Sequence, residues 1–254
     1  MPLEALAIFS SPAISALTRD FSLQMLYNRF YREPEDEMSD DKEEKKAAKA
    51  KAAKDKNKGV KMVPLDRTVP PGCLPLDTHS FKYVVDPHYD SPETDVNSPV
   101  HVTKEALQLY QTQFTARWEG LLGDDHIPSL GEFEEQMKDC NAFIFYGLEK
   151  FLSQLPPFKL APVNLSEISL AIILDLVQTN QSFMRQSKID VEKSNTDLSL
   201  EKPVETAMLL SLAGAGCVMS NQWHCKLGDN ASTFNTLMKG KQKNTVFHFI
   251  EIIC

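Results

Sequence analysis

Apolar side chains recur along this chain at two spacings, and the alternation between them predicts the architecture. Short apolar runs occupy residues 3–9, 81–85, 142–145, Leu170–Leu174 and Cys217–Ser220. Each is brief enough for a strand, and the Leu170–Leu174 run is unbroken, as a strand buried on both faces requires. Between them the spacing lengthens to that of a helix. Ile14, Leu17, Phe21, Met25 and Phe30 form one stripe, and Leu107, Tyr110, Phe114, Trp118 and Leu121 form another, with Thr103 as its expected cap. Ser129 and Glu132 have capping-box spacing, opening a short helix with Phe133 and Met137 inward. Pro203 opens a helix carrying Val204, Ala207, Met208, Leu209 and Leu212, and Gly214 closes it. A last helix carries Phe234, Leu237 and Met238. Strands alternating with helices of this length predict an α/β fold: a three-layer αβα sheet, mostly parallel and covered on both faces.

One segment breaks the pattern. Residues 33–44 carry eight acids and one Lys, and residues 45–61 carry eight Lys and one Asp. Such a stretch buries too little apolar surface to offset the entropy of ordering it, so it reads as a disordered charged insertion. A solvated loop is preferred over an electrostatic tether to an acidic surface such as tubulin tails, because the acidic half competes for the same lysines. The chain therefore divides into a first strand and helix (1–32), the charged low-complexity insertion (33–62), the main α/β domain (63–240) and an unplaced apolar tail (241–254).

Composition narrows the function classes. A net charge of −8 argues against a nucleic-acid binder. No apolar run approaches the length of a membrane span, and the N-terminal apolar stretch contains Glu4 and lacks the basic flank of a signal peptide. The five cysteines, Cys73, Cys140, Cys217, Cys225 and Cys254, are odd in number and form no Cys-x-x-Cys, which favours a reducing compartment. Sequons at Asn164 and Asn230 carry no weight there. Asp86, His88 and Asp90 alternate like metal ligands, but Pro87 and the lack of further ligands make a solvated turn the expectation. Gly214-Ala215-Gly216 lacks a third glycine and follows a helix, so it is no phosphate loop. No cofactor or metal is expected.

In a parallel sheet, sites lie beyond the C-terminal ends of the strands. Two such ends stand out: Tyr146-Gly147, and Leu174-Asp175-Leu176-Val177-Gln178-Thr179. Together with the downstream series Leu212-Ala213-Gly214-Ala215, Val218, Ser220 and Trp223, they resemble the separase-like and caspase-like families, CHAT domains in particular. The resemblance implies a catalytic His at the position of Tyr146 and a catalytic Cys at the position of Val177. Neither residue can serve. Valine has no nucleophilic atom, and a phenol with a pKa near ~10 is a poor base at neutral pH. The site is expected to be degenerate. Asp175 reads as a structural cap or as a surviving substrate-pocket acid, the cap being preferred. His224 and Cys225 are adjacent, but neighbours at a strand end point apart, so they are not expected to pair.

Residues 17–24 (Leu-Thr-Arg-Asp-Phe-Ser-Leu-Gln), the Lys/Glu-rich insertion and residues 174–179 also resemble the C-terminal part of a family of very large tetratricopeptide-repeat proteins of the axonemal central apparatus. That resemblance implies a scaffold in the cytoskeleton of the cilium or flagellum, supporting motility. Its partners would be other large axonemal central-apparatus proteins and calmodulin, with neither nucleic acid nor membrane. No 34-residue helical repeat occurs in this chain, so any repeats would lie upstream. Two function classes follow: a non-catalytic interaction module, which is preferred, and an active CHAT-like cysteine hydrolase with a non-aligned nucleophile.

Overall fold

The computed structural model describes residues 76–77, 80–91, 95–110 and 117–240. The expected strand at 3–9, the helix that follows it, the charged insertion and the tail from 241 lie outside the described residues. Five strands are described: β1 (Ser80–Val85), β2 (Arg117–Leu122), β3 (Ala142–Tyr146), β4 (Leu170–Leu174) and β5 (Cys217–Ser220). They form one sheet of order β2-β1-β3-β4-β5, and every described pair is parallel. The 142–145 run extends by one residue to Tyr146, and its register with β4 runs from Ala142↔Leu170 to Tyr146↔Leu174.

Both faces of β3 and β4 are buried along their whole length, because helices cover the sheet on both sides. On one face, helix α1 (Pro99–Tyr110) and the final helix (Leu227–Gly240) pack Val102, Ala106, Phe234 and Met238 against Phe81, Ile144, Tyr146 and Ile172. On the other, α2 (Leu130–Gln136), α3 (Phe151–Gln154), α4 (Pro157–Leu160) and the helix Pro203–Leu212 pack Phe133, Phe151, Leu160 and Leu210 against Phe143, Phe145 and Ile173. This is the expected three-layer αβα arrangement.

Two further helices, α5 (Asn180–Asp190) and α6 (Asn195–Leu200), connect β4 to the Pro203–Leu212 helix, which is α7; Leu227–Gly240 is then α8. The Ser129–Glu132 capping box is present at α2, and Phe133 and Met137 are buried beneath it. Pro203 opens α7, and Gly214 follows its end with φ +117°.

The second apolar stripe does not form one helix. α1 ends at Tyr110, and Trp118 and Leu121 belong to β2. Their spacing suits a helix, but parallel pairing with β1 sets Trp118 against Phe81, where the rings stack at 4.8 Å. Gly120 permits that pairing, because a Cβ there would lie 2.3 Å from the Tyr83 carbonyl oxygen. Pairing between distant segments overrides local periodicity here. Thr103 is not the cap either. Ser98 takes that role, its Oγ accepting the His101 N–H at 3.3 Å, while Thr103 is buried inside the helix.

The connections from β1 and β3 leave towards opposite faces, α1 on one side and α3 on the other. The crevice beyond the ends of these adjacent strands is the topological switch point, where open α/β sheets place their sites.

Candidate functional site at the C-terminal edge of the sheet

Three loops meet beyond the strand ends: residues 86–91 after β1, 147–150 after β3, and 175–179 after β4. Backbone bonds join them, Asp86 N–H donating to Tyr146 O at 2.8 Å and Gly147 N–H to Leu174 O at 3.0 Å.

The first loop is not the solvated turn expected from Asp86, His88 and Asp90. Asp86 and Asp90 are both buried. Asp86 folds the loop around its own carboxylate, which accepts the N–H groups of Asp90 (3.1 Å) and Ser91 (3.0 Å) and the Ser91 hydroxyl (2.6 Å). Asp90 ion-pairs with Arg185 of α5, which also pairs with Glu149 at 2.6 Å. The Glu149 carboxylate accepts from the Gln154 amide, and Gln154 Oε1 accepts from His88 Nε2 at 2.9 Å. A polar chain thus runs from His88 through Gln154, Glu149 and Arg185 to Asp90. Burial raises the carboxyls of Asp90 and Glu149 even though Arg185 pulls both back. Burial also lowers His88, and the Arg185 charge adds to that. Among the described residues no three His, Cys, Asp or Glu side chains are grouped to hold a metal ion.

Helix α5 is held in this network by its inner face. Thr179 caps it in a capping box with Ser182, and Thr179 Oγ1 reaches the Asp90 carbonyl at 3.3 Å. Gln186 accepts from the Ser153 hydroxyl at 2.9 Å and donates to Asp190 at 2.6 Å. Beyond it, Lys193 bonds Glu201 at 2.5 Å, and Lys150 lies 3.5 Å from the same buried carboxylate. The sequence reading missed Glu149, Arg185 and Gln186. Two signals were present: the Thr179–Ser182 spacing of an N-cap, and polar residues at 182, 185 and 186, which share one helix face.

Tyr146 and Val177 lie at this edge on different elements. Tyr146 ends β3, and its ring fills the α1/α8 layer, stacked on Phe234 at 5.3 Å. Its hydroxyl is buried with no hydrogen-bond partner among the described residues. Burial raises its phenol pKa, and the charges of Asp86 and Asp95 add to the shift. Val177 is buried in the loop beyond β4. Between it and Asp175, Leu176 adopts φ +60°, a costly conformation for a bulky residue. Its carbonyl is tied down twice, accepting from Cys225 N–H at 3.1 Å and from His224 Nδ1 at 3.2 Å.

Asp175 behaves as a structural cap. Its buried Oδ2 accepts the Phe151 N–H at the start of α3, 3.0 Å away. Its carbonyl oxygen accepts the side-chain amides of Asn221 (2.8 Å) and Asn230 (3.2 Å). Burial pushes its carboxyl up to about 7, against the pull of the Phe151 N–H. Asn230 is therefore fully engaged inside the fold, whatever its sequon. His224 and Cys225 do not pair with each other. The imidazole bonds Leu176 O, and the thiol donates to Trp223 O at 3.3 Å. A shallow surface cleft lies among these loops, lined by Leu148, Glu149, Leu176, Phe183, Gln186 and His224, together with Lys150, Gln178 and Ser182.

No family model matches this chain. It is similar to Cilia- and flagella-associated protein 46 of Chlamydomonas reinhardtii, with 26% identity over 169 residues, or 59% of this chain. The two are distantly related. The match spans 6% of the relative's length. Among the described residues no helix is long and apolar enough to cross a membrane.

Proposed function

We propose that this chain is a non-catalytic scaffold module of the cilium, a degenerate CHAT-like, caspase-like domain whose catalytic positions have become structural. The observation that carries this reading is Tyr146. At the position where the resemblance implies a catalytic His stands a ring locked into the core against Phe234, its hydroxyl sealed from solvent. A general base must reach the proton it abstracts, and this group reaches none. Val177, at the Cys position, offers no nucleophile. The strained Leu176 turn and the buried Asp175 beside it now serve packing and capping.

The three cysteines among the described residues support the same reading. Burial pushes the Cys140 thiol up to about 11, and Cys140 lies before β3, at the opposite end of that strand from the candidate site. Cys217 is buried at the start of β5. Burial also raises the Cys225 thiol, with Asp229 and Asp175 adding to it. A nucleophilic cysteine needs the reverse, a lowered pKa beside a base or a cation. On this reading the domain supports central-apparatus assembly and ciliary motility, with other large axonemal proteins and calmodulin as partners.

The test has two arms. The full chain is assayed against fluorogenic peptides and p-nitrophenyl esters beside C140S, C217S and C225S variants, and a tagged chain is followed in ciliated cells. We expect no turnover above a mock preparation and accumulation along the axoneme. Turnover abolished by one of the serine replacements, or exclusion from cilia, would overturn the reading.

A further inference from the structure

The helices that cover the sheet send apolar side chains into the core: Val102 and Ala106 from α1, Leu210 from α7, Phe234 and Met238 from α8. Helices α5 and α6 do not. The only buried residues of α5 are Ser182 and Gln186, and α6 has none. Phe183, Met184, Ile189 and Val191 are exposed, and Leu198 and Leu200 are half-buried. Polar contacts fasten the segment instead: Arg185 with Asp90 and Glu149, Gln186 with Ser153, and Lys193 with Glu201. On either side the chain is anchored in the domain. Leu176 and Val177 are buried before it, the Leu176 carbonyl being bonded twice, and Glu201, Thr206 and Leu210 are buried after it. Exposed Gln178 and Lys202 lie between these anchors and the segment.

We infer that residues 180–200 form a hinged strap, a cooperative unit that detaches from the intact sheet and uncovers the crevice beyond β1 and β3. Buried apolar surface is what makes a helix costly to detach, and little is lost here. The polar contacts are exchanged for water on opening, with a small net loss. Nor does opening leave Asp90 and Glu149 as buried charges without a cation, because the helix that carries Arg185 also shields them. Glu149 lines the surface cleft beside Ser182, Phe183 and Gln186, and Thr179, the cap of α5, bonds the Asp90 carbonyl. Glu201 keeps Lys150, 3.5 Å from its second oxygen, when Lys193 leaves. Elements with few buried apolar contacts open below the free energy of global unfolding. The crevice is the topological switch point of the sheet, so the strap lies where a lid would act. Leu148, buried in the cleft wall opposite α5, is the side chain that opening exposes. The inference goes beyond the scaffold reading and does not depend on it.

Amide hydrogen exchange of the full chain, read peptide by peptide by mass spectrometry in zero to sub-denaturing urea, tests the strap. We expect residues 180–200 to exchange as one group, about a hundredfold or more faster than β3 and β4. Their rate should barely respond to urea, because opening exposes little surface, whereas that of the strands should rise steeply. Ile173→Val weakens the core alone and should speed β3 and β4 about threefold to tenfold while leaving 180–200 unchanged. Arg185→Gln weakens the closed strap and should speed α5 about tenfold or more, and α6, to which Arg185 is not bonded, by the same factor. Lys193→Gln, at the other end of the segment, makes the same comparison should Arg185→Gln fail to fold. Uncovering of the crevice is read by alkylation of the thiol introduced with Leu148→Cys. Its rate should rise with Arg185→Gln by that same factor and stay unchanged with Ile173→Val. The inference is overturned if 180–200 shares the urea dependence of the strands or speeds up with Ile173→Val. It is equally overturned if α5 and α6 respond unequally, or if alkylation at position 148 is indifferent to the strap variants.

Discussion

Replacing Asp175 with Asn should change how the stability of this domain depends on pH. The Asp175 carboxyl is buried, and its pKa rises from 3.8 to about 7 in the folded state. In the unfolded chain it titrates near its ordinary value. Between those two values the folded state holds a proton that the unfolded state has released. Stability must therefore fall as pH rises through this window. The contribution is fully present below the unfolded pKa and is lost once pH passes about 7. At about 1.4 kcal/mol per unit of pKa, the difference amounts to about 4 kcal/mol. Asn is neutral at every pH and keeps an oxygen to accept the Phe151 N–H, so the variant lacks this term. Any cost of the new amide hydrogens offsets its curve by a nearly constant amount. The assay is urea unfolding of both proteins, followed by far-ultraviolet circular dichroism at pH 4.5, 6 and 8. Taking the difference between them cancels the titration of every other group. We expect the stability of Asp175→Asn relative to wild type to rise steadily from pH 4.5 to pH 8. A difference that stays flat across this range would refute the argument, and would mean that Asp175 titrates alike in both states.

Other substitutions test separate parts of the reasoning by the same unfolding assay. Tyr146→Phe removes a buried hydroxyl with no partner among the described residues and should be neutral or stabilising by about 1 kcal/mol; a loss beyond that would reveal a bond to the phenol. Arg185→Met leaves the buried carboxylates of Asp90 and Glu149 without their cation and should cost about 3–5 kcal/mol, most severely at high pH, where both are ionised. Gly214→Ala should cost about 1–3 kcal/mol, because φ is +117° there and the new Cβ would sit 2.9 Å from Ser166 N. Ser129→Ala removes one half of a capping box and should cost about 1 kcal/mol.

The parts of this fold that were legible in the sequence are those whose cause is local or whose environment is uniform. The 142–145 and Leu170–Leu174 runs are apolar because both faces of β3 and β4 are covered, and burial on both sides leaves an unbroken run that needs no partner to be recognised. Ser129 with Glu132, and Pro203 with Gly214, mark helix ends through bonds and backbone angles confined to a few neighbouring residues. Tyr146 and Val177 were singled out by resemblance to a motif, and that neither suits the role of base or nucleophile follows from side-chain type alone.

Tertiary structure decided the rest. Trp118 fits a helical stripe or a strand equally well, and only the presence of β1 beside it settles the matter through the Phe81 stack. Asp86 and Asp90 read as solvated because carboxylates usually are. Their burial depends on Arg185, almost a hundred residues away, and on backbone N–H groups turned inward by the loop's own fold. Helix α5 escaped notice because its polar residues face the domain, the reverse of the pattern by which helices are recognised. A sequence records which side chains a segment carries. It does not record which of them will meet a charge brought from another element, as Asp90 and Glu149 meet Arg185 at the C-terminal edge of this sheet.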